Sequence, residues 1–189
     1  MQNILNQYKD LTLQAINNID SEDLSQIVFI LHQALADNKQ VFTMGNGGSA
    51  ATANHIVNDL TQIKKKFKSQ SPIISLTSNA SVLTCIGNDI GYEYIFSKQL
   101  EGSLHASDIV IAYSVSGNSP NILNAIDSIK QAGATLISFT GFAGGELAEK
   151  ANHRIHIPGE AGNYGVPEAL HLFYSHLICD LLRSQVDGQ

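Results

Sequence analysis

Five short β-type runs, separated by stretches of helical spacing, constrain the fold of this chain more than any other feature. The runs are Gln40-Val41-Phe42-Thr43-Met44, Pro72-Ile73-Ile74-Ser75-Leu76-Thr77, Asp108 to Tyr113, Thr135-Leu136-Ile137-Ser138-Phe139-Thr140, and His153 to Ile157. Helical patterns cover Ala50 to about Ile63, Tyr94 to Leu104, Asn121 to Ala132, Glu146 to Ala151 and Val166 to Arg183. Ser78 to Gly91 mixes Asn, Ser, Gly and Asp and reads as a loop containing a helical turn. Strands alternating with helices at this rhythm mean βαβ units, and so a parallel sheet covered on both faces. The expected fold is α/β, three-layer α-β-α, with five parallel strands.

Two helices are expected ahead of the sheet, within residues 1–38. Leu5, Tyr8, Leu11, Leu13, Ile16 and Ile19 recur near helical spacing. Asp20-Ser21-Glu22-Asp23 then interrupts the pattern, and Ser21 can cap a second helix carrying Leu24, Ile27, Val28, Leu31 and Leu35. Ser184 to Gln189 reads as a polar tail. No linker or repeat divides the 189 residues, so the expectation is one domain over 1–189.

In such sheets ligands sit at the carboxyl ends of the strands. Two small-residue loops fall there. Gly45-Asn46-Gly47-Gly48-Ser49 follows the first strand, and its glycines permit a close backbone approach at a helix N-terminus that favours an anion. A tight turn capped by Ser49 would explain it as well. Ser114-Val115-Ser116-Gly117-Asn118-Ser119 follows the third strand and offers three hydroxyl donors that add no charge. A plain serine-rich turn would also fit. Neither loop carries the P-loop lysine or the dinucleotide glycine pattern, so the pair points to a small phosphorylated ligand.

His55 and Asp59 lie four apart on one helix face; Glu168 and His176 lie eight apart on the last helix. Two imidazoles and two carboxylates can bind a divalent ion such as Zn²⁺, or work as acid and base. Two ordinary surface pairs account for them too. His171 points elsewhere on its helix and reads as packing or surface. His32, His105, His153 and His156 need no function, and Lys64-Lys65-Lys66-Phe67-Lys68 reads as a solvated helix end.

Charge and cysteine content narrow the partners. With 17 acidic and 11 basic residues the net charge is −6, a poor match to nucleic-acid backbones. The apolar runs are too short to span a bilayer, and the first residues lack a secretory pattern. Cys85 and Cys179 show no disulfide or metal spacing and read as two buried thiols, consistent with the cytoplasm. Charged residues make up only 15%, as expected where other subunits cover part of the surface.

The motifs together resemble a family. Gly45-Asn46-Gly47-Gly48-Ser49, His55, Gly87-Asn88-Asp89-Ile90-Gly91, Ser114-Val115-Ser116-Gly117-Asn118-Ser119, Glu168 and His176 run in the order and spacing of the sedoheptulose-7-phosphate (phosphoheptose) isomerases. These belong to the sugar isomerase (SIS) domain family. The resemblance implies a flavodoxin-like sheet and an aldose–ketose isomerase. It would convert sedoheptulose 7-phosphate to D-glycero-D-manno-heptose 7-phosphate through an enediol, for a surface glycan such as lipopolysaccharide or capsule. It implies that Asn46, Gly47, Gly48 and Ser49 contact substrate, that Ser114, Val115, Ser116 and Ser119 form the phosphate loop, and that Asn88 and Asp89 meet sugar hydroxyls. It places His55, Asp59, Glu168 and His176 at a Zn²⁺ site, with Asp59 as base, His176 as acid and Glu168 also at the substrate. It implies a homotetramer with active sites between subunits, the N-terminal helices serving in that packing.

Three positions depart from the family pattern. Asp59 stands where Glu is usual, shortening the reach by roughly 1.5 Å, and misplacement on that scale can cost a hundredfold in rate. Glu168, in Gly165-Val166-Pro167-Glu168, stands where the family's Arg-Ile-Gln-Glu segment supplies Gln, and Val115 replaces Thr. These departures leave two alternatives in view: a SIS-domain sensor or isomerase of another sugar phosphate, and a binding module like the family's replication-initiator-binding relatives.

Overall fold

The computed structural model describes residues 2–187. The chain opens with α1 (Gln2–Asn17) and α2 (Ser21–Ala36). The cap of α2 is Asp20 rather than Ser21. Its carboxylate accepts from the backbone N–H groups of Glu22 (2.8 Å) and Asp23 (3.4 Å). A charged acceptor there gains from the helix dipole as well.

Beyond α2 run β1 (Val41–Gly45), α3 (Gly48–Lys66), β2 (Ile73–Ser75), α4 (Ala80–Asp89), a 3-10 turn (Tyr92–Tyr94) and α5 (Ser97–Leu100). There follow β3 (Ile109–Ser114), α6 (Pro120–Ala132), β4 (Thr135–Phe142), α7 (Gly145–Lys150), β5 (His153–Pro158) and α8 (Gly165–Asp187). The expected architecture is present: one five-stranded, all-parallel sheet, ordered β2-β1-β3-β4-β5, with helices on both faces.

Four local expectations are corrected. The Ser78–Gly91 loop is instead the helix α4, whose N-cap Asn79 accepts from the Val82 N–H at 3.2 Å. The helix expected over Tyr94–Leu104 shrinks to the 3-10 turn and the four residues of α5. The second strand keeps only three residues. The polar tail is helical through Asp187, and its last two residues lie outside the described residues.

Period-two alternation splits the core into two layers. Val41, Ile109, Ile111, Tyr113, Ile137 and Phe139 face the layer holding α2, α3 and α8, where Ile27, Leu31, Ile56, Leu60, Leu170 and Leu182 are buried. Phe42, Met44, Val110, Ala112 and Leu136 face the opposite layer, against Phe96, Ile122, Ile126, Ile129 and Leu147. Every residue of β1 and β3 is buried, as a central strand covered on both faces requires.

The strand order fixes where a ligand fits. From β1 the chain turns outward through α3 to β2, then returns to β3 and winds the other way through α6 to β4. The connections after β1 and β3 therefore diverge, leaving a crevice at their carboxyl ends. The glycine loop and the serine loop flank that crevice.

Candidate active site

A cleft of about 140 Å³ opens between the two loops, lined by Asn46, Ser49, Tyr113, Ser114, Val115, Ser116, Ser119, Tyr164 and Glu168. None of these is Lys or Arg, so an anion would be held by neutral donors. The helices that begin here suit that task. Neither α3 nor α6 has a side-chain cap, whereas α2 and α4 do. The positive ends of both helix dipoles point toward the crevice.

The serine loop is held from behind. Gly117 takes φ +65°, and a Cβ there would run into the Gly144 carbonyl. The Leu147 N–H donates to the Gly117 carbonyl (3.0 Å) and the Glu146 N–H to Asn118 Oδ1 (3.0 Å), tying the loop to α7. Ser114 Oγ and Ser119 Oγ face each other across it, 3.5 Å apart. Val115 is buried, and a Cβ on Gly141 would lie 2.8 Å from its methyl.

Glu168 sits in the first turn of α8 and bends over the start of α3. A Cβ on Gly48 would lie 2.6 Å from its carboxylate, so only glycine leaves room for this approach. The carboxylate thus occupies the N-terminus of α3 and leaves that of α6 clear.

The second cluster lies further along the α3–α8 seam. Asp59 Oδ2 stands 3.5 Å from His55 Nε2 and 3.3 Å from His176 Nδ1, and the two imidazoles pack edge to face at 4.7 Å. One donor atom from each of the three falls within 4.8 Å of the others. Two imidazoles and a carboxylate form a donor set suited to Zn²⁺. The shorter Asp side chain therefore still reaches both histidines. Asp59 is the most enclosed of the three, at 13% exposure against 43% and 48% for the histidines. Beneath it, burial pushes the Cys179 thiol up to about 12, and the Asp59 charge adds to that.

Three of the four residues expected at a metal are thus brought together. Glu168 stands apart from them, because eight residues of helix separate it from His176 by about 12 Å along the axis and its carboxylate folds toward Gly48. Asn88 and Asp89 also lie away from the cleft, exposed at the end of α4. The Asn88 amide holds the Asp89 carboxyl below its usual range, and the Cys85 thiol adds to this. Cys85 is therefore an exposed thiol rather than a buried one; Cys179 is the buried one.

His171, expected as packing or surface, is packing, and its packing braces the site. It is 1% exposed, and its Nε2 donates to the Thr140 carbonyl at 3.1 Å. Burial pushes its pKa down to about 4. Its carbonyl accepts from Ser175 Oγ, which is also paired with the Tyr113 hydroxyl. These bonds fix α8 to the carboxyl ends of β3 and β4, directly below the serine loop. Asn121 and Tyr92, both in contact with Asn46, carry no signal in the sequence, because the Asn46–Asn121 pairing spans 75 residues.

Comparison with known proteins agrees with this geometry. A family model described as "SIS domain" matches residues 6–141. A phosphoheptose isomerase from Sulfurimonas denitrificans is 39% identical over 173 residues, 92% of this chain and 85% of that protein. One from Akkermansia muciniphila is 36% identical over 166 residues, 88% of this chain and 87% of that protein. The solved structure of a phosphoheptose isomerase from Neisseria gonorrhoeae superposes with a TM-score of 0.86 at 27% identity, covering 97% of this chain and 96% of that one.

Proposed function

The chain belongs to the SIS-domain family and, within it, to the phosphoheptose isomerases; on that premise we propose that it interconverts sedoheptulose 7-phosphate and its aldose through an enediol. The observation that carries the reading is the shared seam: an anion cleft at one end of α3 and α8, and a carboxylate between two imidazoles further along them. A phosphate held at the first leaves the carbonyl end of the sugar to be met at the second.

Ser114, Ser116 and Ser119 bind the phosphate, with the open N-terminus of α6 adding its dipole. Asn46, Gly47, Gly48 and Ser49 hold the sugar chain. Asp59 takes the proton from the carbon beside the carbonyl, and His176 moves a proton between the two enediol oxygens. His55 and His176 flank the Asp59 carboxylate at 3.5 and 3.3 Å and orient it. The donor set of His55, Asp59 and His176 fits Zn²⁺. Such an ion would polarise the carbonyl oxygen.

We further propose a homotetramer. Asn88 and Asp89, which do not reach the cleft of their own chain, would then serve a neighbouring subunit's site. The test is to incubate the protein with sedoheptulose 7-phosphate, with and without added Zn²⁺, and follow the aldose by NMR. Conversion is expected; none under either condition would overturn the reading.

A further inference from the structure

The Asn46 side chain is held by two residues that lie outside the phosphate loop and the ionisable cluster. Asn46 Nδ2 donates to Asn121 Oδ1 at 2.9 Å, and Asn121 Nδ2 donates back to Asn46 Oδ1 at 2.8 Å. The Tyr92 hydroxyl donates to the same Asn46 oxygen at 3.1 Å. Asn121 sits in the first turn of α6 at 1% exposure, so its half of the pair is shielded from water, where such bonds are stronger. The pair ties the glycine loop to the first turn of α6, just beyond the serine loop.

Counting donors and acceptors gives the consequence. A carboxamide offers two N–H groups and one oxygen with two lone pairs. In Asn46 both lone pairs are taken, one by Asn121 and one by Tyr92, and one N–H is spent on Asn121. One N–H remains, on a residue that lines the cleft.

We propose that Asn121 and Tyr92 are positioning residues that fix the Asn46 amide so that it presents the ligand with a single N–H donor and no acceptor. Asn46 then recognises an oxygen lone pair, such as that of a carbonyl or phosphoryl group. The proposal rests on the sugar-phosphate reading above. It adds that the glycine loop and the first turn of α6 are one preorganised unit.

The test is a double-mutant cycle. Asn121→Ala and Asn121→Asp are each combined with Asn46→Ala, and kcat/KM is measured for sedoheptulose 7-phosphate, with its Kd by calorimetry and folding by circular dichroism. Each Asn121 variant is expected to lower kcat/KM about tenfold when Asn46 is present, because one oriented donor is lost. In the Asn46→Ala background the further loss should be no more than about twofold, the signature of residues acting through one another. Equal losses in both backgrounds, or no loss in either, would overturn the proposal. Tyr92→Phe guards against misfolding of the Asn121 variants, since Tyr92 is 61% exposed. It should show the same non-additivity at about threefold; no change in kcat/KM or Kd would count against the proposal. Failure of the isomerase reading shows differently: the wild type would bind sugar phosphate without converting it, and the same cycle is then read in Kd. A wild type that neither binds nor converts it would overturn both.

Discussion

Single side chains set the chemistry here, and buried His171 gives the plainest residue-scale prediction. Its pKa of about 4 in the fold lies below the ordinary value of 6.5. The unfolded chain therefore takes up its proton first as pH falls. Its contribution to stability is complete above pH 6.5 and is lost as pH drops toward 4, about 3 kcal/mol across that window. His171→Gln should keep a donor for the Thr140 carbonyl and flatten this part of the curve. Denaturant unfolding of both proteins from pH 7 to pH 4 checks it: the difference between them should shrink as pH falls, and a constant difference would contradict the account. At this scale the sequence was partly legible. Spacing along one helix put His55 beside Asp59, whereas only the family resemblance brought His176 to them, since spacing does not say which helices face each other. Glu168, grouped with them by the family resemblance, turns its carboxylate toward Gly48, a direction that spacing does not carry. Asn121 was invisible because its partner is 75 residues away.

Elements owe their places to caps, glycines and two-sided burial. The central strands were readable because β-branched and aromatic residues alternate between two apolar layers. The helix α4 was not, since Ser, Asn, Asp and Gly favour other conformations in isolation. It buries none of its residues fully, and its Asn79 cap together with the neighbouring 3-10 turn sustains it. The connection after β3 is the element with least tolerance. Gly117→Ala would force a side chain into positive φ and into the Gly144 carbonyl. The backbone term alone costs about 1–2 kcal/mol, so Tm should fall by at least about 2 °C. Phosphate-ester affinity should fall with it, because the serine hydroxyls move. Calorimetry on the variant measures both; an unchanged Kd for the sugar phosphate would separate the loop from phosphate binding.

As a whole molecule the chain carries more exposed apolar surface than its own packing uses. Ile4, Leu5, Tyr8 and Leu13 project from α1, Phe29 from α2 and Phe173 from α8, all between 44% and 63% exposed. α1 packs its other side, through Ala15, Leu11 and Ile16, on the core. A helix apolar on both sides is suited to burial between subunits. Light scattering should give the mass of four protomers, and Leu5→Glu with Leu13→Glu should lower it; a monomeric wild type would contradict the tetramer. The central claim is that Asp59 moves the proton that interconverts ketose and aldose, and it is tested most directly in D₂O. Sedoheptulose 7-phosphate with the wild type should form aldose while deuterium enters the carbon beside the carbonyl, and Asp59→Asn, folded by circular dichroism, should do neither. Deuterium entry at an undiminished rate in Asp59→Asn would contradict the account.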